Sequence, residues 1–200
     1  MSIRTLYRLS AVAGIFCAVS IILGKLLIRI PPRQMGEVFD TFAAFFGLFL
    51  AMGVYLMHRK ESGILGGIAF ITFFTGLAAV LCLDYFGAFM ALELPAETVD
   101  ALQEGPNGWV FAVSGIIFLL GEILFGISVI RAGVFSKIAA ILFMLGMIPV
   151  ALHLTGIFPE YVVNISSVVA GLGLIWWSVE LYRLAGIQTV SSSEMQPVPA

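Results

Sequence analysis

Six stretches of almost uninterrupted apolar residues run through this chain, each roughly 20 residues long, the length a helix needs to cross about 30 Å of hydrocarbon. A segment in lipid has to satisfy its own backbone polar groups, so single runs of this kind fold as helices. The spans read from the sequence are Leu6 to Leu27, Val38 to Met57, Ile64 to Leu83, Val110 to Ile130, Val134 to Leu154 and Tyr161 to Leu181. They predict an all-α polytopic membrane protein with six transmembrane helices, one domain over residues 1–184, and a polar, disordered cytoplasmic tail over 185–200.

Composition points the same way. Apolar residues make up 60% of the chain and charged residues only 11%, against about a quarter charged in a soluble domain. The net charge of −2 leaves no basic footprint, so nucleic acid is not an expected partner. Cys17 and Cys82 fall in different apolar runs without CxxC or zinc-ligand spacing and read as packing residues. No metal site and no cofactor is expected. The first run follows Arg4 and Arg8 as a signal peptide would, but it is too long and lacks a small-residue exit, so it reads as a retained helix. Ile15-Phe16 ahead of Cys17 argues against a lipid anchor.

Translocating Lys and Arg is disfavoured, so their distribution sets orientation. With the N-terminus inside, cytoplasmic segments carry Arg4, Arg8, Arg59, Lys60, Arg131, Lys137 and Arg183, and the outer side keeps Lys25, Arg29 and Arg33. Both termini are therefore expected in the cytoplasm and the chain in the plasma membrane, as in a bacterial inner membrane. Lys25, Arg29 and Arg33 recur at i, i+4, i+8, a stripe able to snorkel to outer-leaflet phosphates.

The one long connection holds Glu93, Glu97, Asp100 and Glu104 at helical spacing, with Pro95 at the start and Gly105-Pro106-Asn107-Gly108 at the end. An external cation or partner site and a solvated stripe on an interfacial helix both fit it. Without an EF-hand frame, four carboxylates argue little for calcium.

Glu122 is the polar residue that lipid alone does not explain. It lies about twelve residues into the fourth span, roughly 18 Å below the outer edge and near the midplane. An isolated carboxylate is costly there, so the side chain should be protonated or hydrogen bonded. It could carry a proton, bind a cationic substrate or hold a polar head group. As a structural residue it would be a neutral acid bonded to a neighbouring helix. Asp84 and Glu180 fall at span ends and read as interfacial charges, Glu180 being spaced for an i, i+3 pair with Arg183.

His153 lies toward the outer end of the fifth span, four residues after Pro149, which removes a helix hydrogen bond and should kink that span beside Gly146. His58 ends the second span on the opposite side, so the two histidines cannot share one haem or metal. The chain lacks HExxH and Walker A motifs, and Ala112-Val113-Ser114-Gly115 falls short of an intramembrane serine nucleophile. No motif compels catalysis.

The halves echo one another. Ala11-Val12-Ala13-Gly14-Ile15 matches Ala112-Val113-Ser114-Gly115-Ile116; Leu50-Ala51-Met52 with His58 matches Leu145-Gly146-Met147 with His153; and Gly76-Leu77 matches Gly171-Leu172. Two three-helix repeats would be inverted, as in many secondary transporters. Chance matching within a small apolar alphabet is the competing explanation. Gly63 and Gly67, or Ala132, Ser136 and Ala140, would allow close helix approach. Phe42, Phe45, Phe46 and Phe49 form a stripe of core or lipid-facing character.

From Val110 onward, Phe118-Leu119-Leu120-Gly121, then Ile130-Arg131-Ala132-Gly133-Val134-Phe135-Ser136-Lys137 and a glycine-containing helix follow one another. This arrangement resembles the back half of uncharacterised six-helix bacterial membrane proteins over residues 110–184. The resemblance implies architecture and no activity. The leading expectation is a small-ligand or proton-linked transport or sensing protein with a site of Glu122, His153 and Pro149. A non-catalytic scaffold or accessory subunit binding partner helices, or a homo-oligomer, is the alternative. An intramembrane lipid-modifying enzyme would need a second polar group beside Glu122 or His153. Membrane lipids are the expected surroundings in every case.

Overall fold

The computed structural model describes residues 2–27, 34–106, 108–152 and 157–193, and these form helices throughout, with no strand among them. The elements are α1 (Ile3–Leu27), α2 (Gln34–Tyr85), a π turn (Phe86–Met90), a 3-10 turn (Ala91–Glu93), α3 (Ala96–Glu104), α4 (Trp109–Ala132), α5 (Lys137–Ala151) and α6 (Glu160–Ser193). Four helices are long and apolar enough to cross a membrane: Ile3–Leu27, Met35–Met90, Trp109–Ala132 and Glu160–Ile187. Lys137–Ala151 is apolar but shorter.

This differs from six separate helices in two places. The expected second and third spans fall in one helical run of 56 residues, Met35–Met90. His58-Arg59-Lys60, expected as a connection, is helical, and the chain departs from helix only at Gly63, with φ 57 and ψ −143. A side chain would clash in that backbone state, so a glycine concentrates the break at one residue. The arms on either side run antiparallel: Tyr55 stacks on Phe70 at 4.4 Å between ring centroids, and a Cβ on Gly47 would lie 3.2 Å from Leu77. The second difference is at the C-terminal end, where α6 passes the expected limit at Leu181 and continues to Ser193.

Local chemistry sets other boundaries as expected. Gly133 takes the left-handed conformation, φ 68, and its N–H bonds to the Val129 carbonyl, closing α4. Pro95 stands immediately before α3, and Gly105 follows it. The carboxylates of α3 and its approach, Glu93, Glu97, Asp100 and Glu104, are exposed. They form a solvated stripe.

Packing places α1 against α2 and α6, α2 against α4, and α5 against α6 and α4. The second arm of α2 meets α4 backbone to backbone. A Cβ on Gly76 would lie 2.4 Å from Phe118 Cα, and one on Gly121 would lie 2.4 Å from Phe73 Cα. Small residues allow this approach, although at glycines other than Gly63 and Gly67. Around the contact, Phe73 touches Phe118, Phe125 and Phe143, and Trp177 closes the cluster against Phe125 and Phe143.

Candidate functional site

Helices α1, α2, α4, α5 and α6 enclose a cavity of about 490 Å³, within the range of small-molecule sites. On the first arm of α2 its wall runs from Asp40 to Val54, a length of roughly 21 Å at 1.5 Å per residue. Burial grades along it. Lys25, Asp40, Leu83, Asp84, Phe111, Val150 and Ala151 at one end are half-buried, whereas Cys17, Leu50, Val54, Phe73, Phe125, Phe143 and Trp177 at the other are buried. The half-buried end is the mouth.

The mouth is charged. Lys25 Nζ donates to Asp40 Oδ2 at 2.5 Å, both side chains being less than a fifth exposed. α1 and the start of α2 pack closely enough here that a Cβ on Gly24 would meet Asp40. Asp84, from the far end of α2, lines the same cavity and lies within electrostatic reach of Asp40, Lys25 and Glu37. Among the described residues, Asp40, Asp84 and Lys25 line this rim, and Glu37 lies within electrostatic reach of Asp84. Among the described residues no group of three or more His, Cys, Asp or Glu converges closely enough to hold a metal ion.

The deep end is aromatic. Trp177 is 1% exposed, lines the cavity, and its buried Nε1–H has no hydrogen-bond partner among the described residues. Glu122, on α4, is 0% exposed, and neither of its carboxyl oxygens has a partner among the described residues. Unpaired buried polar atoms are uncommon in folded proteins. Glu122 is four residues after Phe118 and three before Phe125, positions that share a helix face, and both phenylalanines line the cavity. Glu122 thus shares a face of α4 with two residues of the cavity wall, although it does not itself line the cavity.

Of the other expected site residues, Pro149 does not line the cavity. His153 lies outside the described residues. Pro149 lies inside α5, in the turn that ends at Ala151. A Cβ on Gly146 would lie 2.3 Å from Ala170 N, so that glycine serves helix approach more than local weakness. His58 is fully enclosed, its Nδ1 2.6 Å from the Val54 carbonyl and its Nε2 3.3 Å from Ser128 Oγ, a satisfied residue of the core. Glu180 does not pair with Arg183. It accepts from the Ser136 backbone N–H at 2.9 Å and from Trp176 Nε1 at 3.0 Å, joining α6 to the start of α5.

Sequence reasoning passed over Asp40, which stands inside an apolar run, and treated Lys25 and Asp84 as separate interfacial charges. Their common place at the ends of antiparallel apolar runs was the available signal. Trp177 carried no signal, because an indole in an apolar run is ordinary. Against known protein families, curated proteins and solved structures, the chain finds no match in any of the three comparisons.

Proposed function

We propose that this chain is a six-span protein of the plasma membrane, with both termini cytoplasmic, that takes a small ligand into its interior cavity for proton-linked transport or sensing, with Glu122 as the polar centre. The observation that carries the reading is the Glu122 carboxyl group, fully buried, unpartnered among the described residues, and on the face of α4 that carries Phe118 and Phe125 of the cavity wall. A purely structural acid would be bonded to a neighbouring helix. An isolated buried carboxylate is costly, so the group carries a proton while the cavity is empty and releases it when a ligand supplies compensating charge.

Six passes are supported by the antiparallel arms of α2 about Gly63. Inverted three-helix halves are supported by the packing of two glycines that the internal echo pairs. A Cβ on Gly76 would meet Phe118 of α4, and one on Gly171 would meet Ile22 and Ala18 of α1. Each brings the last helix of one half against the first helix of the other.

The test uses Cys17, which lines the cavity, as a reporter in Cys82→Ser protein. Methylmercury chloride, a small neutral probe whose mercury binds the sulfur while its chloride leaves with the thiol proton as HCl, is expected to label Cys17 in the folded protein without needing preformed thiolate. Gly115 also lines the cavity, with nothing within 4 Å of a built Cβ, so Gly115→Leu fills the space without a clash. It should block the labelling. Labelling that occurs only on unfolding would remove the ligand-cavity reading.

A further inference from the structure

We propose that the cavity selects lipophilic organic cations, which enter past the Asp40, Asp84 and Glu37 carboxylates and settle against the Phe73, Phe118, Phe125, Phe143 and Trp177 rings beside Glu122. The inference deepens the ligand-cavity reading and rests on it. Two separated features of the same cavity, its mouth and its blind end, point to this class of ligand.

At the mouth the charges are unequal. Among the described residues lining the cavity, Lys25 is the one cation, and it is paired with Asp40. Asp84 lines the same wall, with Glu37 close enough to act on it. The charges of the Lys25–Asp40 pair offset each other, so among the described residues an entering anion would meet the Asp84 and Glu37 carboxylates. A cation meets the reverse. The carboxylates are too dispersed to cage a metal ion, which suits a large organic cation with delocalised or shielded charge.

At the blind end the chemistry is complementary to the same ligand. Aromatic faces attract a desolvated cation through their quadrupoles, and a carboxyl group behind them supplies the countercharge. Glu122 is fully buried with both oxygens unpartnered, so it has no protein cation to neutralise it among the described residues. The Trp177 Nε1–H, also unpartnered, is free to donate to an acceptor on the ligand or to Glu122 through a bound water. A neutral hydrocarbon would fill the volume but leave both charged rim and buried acid unanswered.

The experiment is equilibrium dialysis of the full-length protein in detergent against tetraphenylphosphonium and tetraphenylborate, ions of matched shape and opposite charge. Saturable binding of the phosphonium is expected, with the borate weaker by on the order of tenfold, the scale of a close charge pair. Asp84→Asn and Glu122→Gln should each weaken phosphonium binding, and Gly115→Leu should abolish it while the thermal midpoint is kept. Equal binding of both ions, or phosphonium binding unchanged in Asp84→Asn and Glu122→Gln, overturns the proposal. The two readings fail separately. Cys17 labelling that Gly115→Leu blocks, without phosphonium binding, keeps the cavity and rejects the cation. Absence of both labelling and binding rejects both.

Discussion

Lys25 and Asp40 form an ion pair across the α1–α2 interface, with Nζ and Oδ2 2.5 Å apart and side chains 15% and 19% exposed. Half-buried, the pair is worth less than a fully enclosed one, but removing one member still strands a charge. Lys25→Met is expected to cost about 2 kcal/mol. Lys25→Met with Asp40→Leu should recover part of that, because an apolar pair carries no stranded charge. Thermal unfolding in detergent of the two variants checks the order.

Glu180 fastens α6 to the start of α5 through the Ser136 N–H and Trp176 Nε1. Hydrogen bonds to an ionised group contribute about 1.5–3 kcal/mol, so Glu180→Ala should lower stability by an amount of that order. Arg183→Ala should change it by less than about 0.5 kcal/mol. If the two substitutions destabilise equally, the carboxylate is paired within α6 after all.

The backbone contact between α2 and α4 leaves no room for a side chain at Gly121, where a Cβ would lie 2.4 Å from Phe73 Cα. Gly121→Leu should destabilise by at least about 1–3 kcal/mol, the cost of overpacking, because the obstacle is main chain. The contrast is Gly115, six residues earlier on the same helix, where a built Cβ meets nothing. Replacing that glycine removes a helix-weakening residue, so Gly115→Leu should be neutral or stabilising by up to about 1 kcal/mol. Loss of folding at Gly115→Leu would mean that the space is not open.

The sequence made the helices legible because long apolar runs bounded by charges and glycines carry the signal, and it made the Gly133 turn legible because a glycine after Arg131 both ends a helix and stays at the surface. It did not show that His58-Arg59-Lys60 would remain helical, since charged residues favour helix as readily as loop and the break needed only Gly63. It singled out Glu122 by depth alone. Whether that acid was bonded depended on which helices faced α4, and single-chain periodicity carries no such information. The mouth was hidden for the same reason. Lys25, Asp40 and Asp84 come from three segments distant in sequence, and only the antiparallel return of α2 about Gly63 brings Asp84 back to the level of Lys25.

The central claim is that Glu122 is the proton-carrying centre of a ligand cavity. It is tested most directly by proton release, read with a pH dye in weakly buffered detergent solution as tetraphenylphosphonium is added. Wild-type protein should release a proton for each cation bound, and Glu122→Gln, equally folded, should bind more weakly and release none. Proton release by Glu122→Gln that matches wild type would contradict the account.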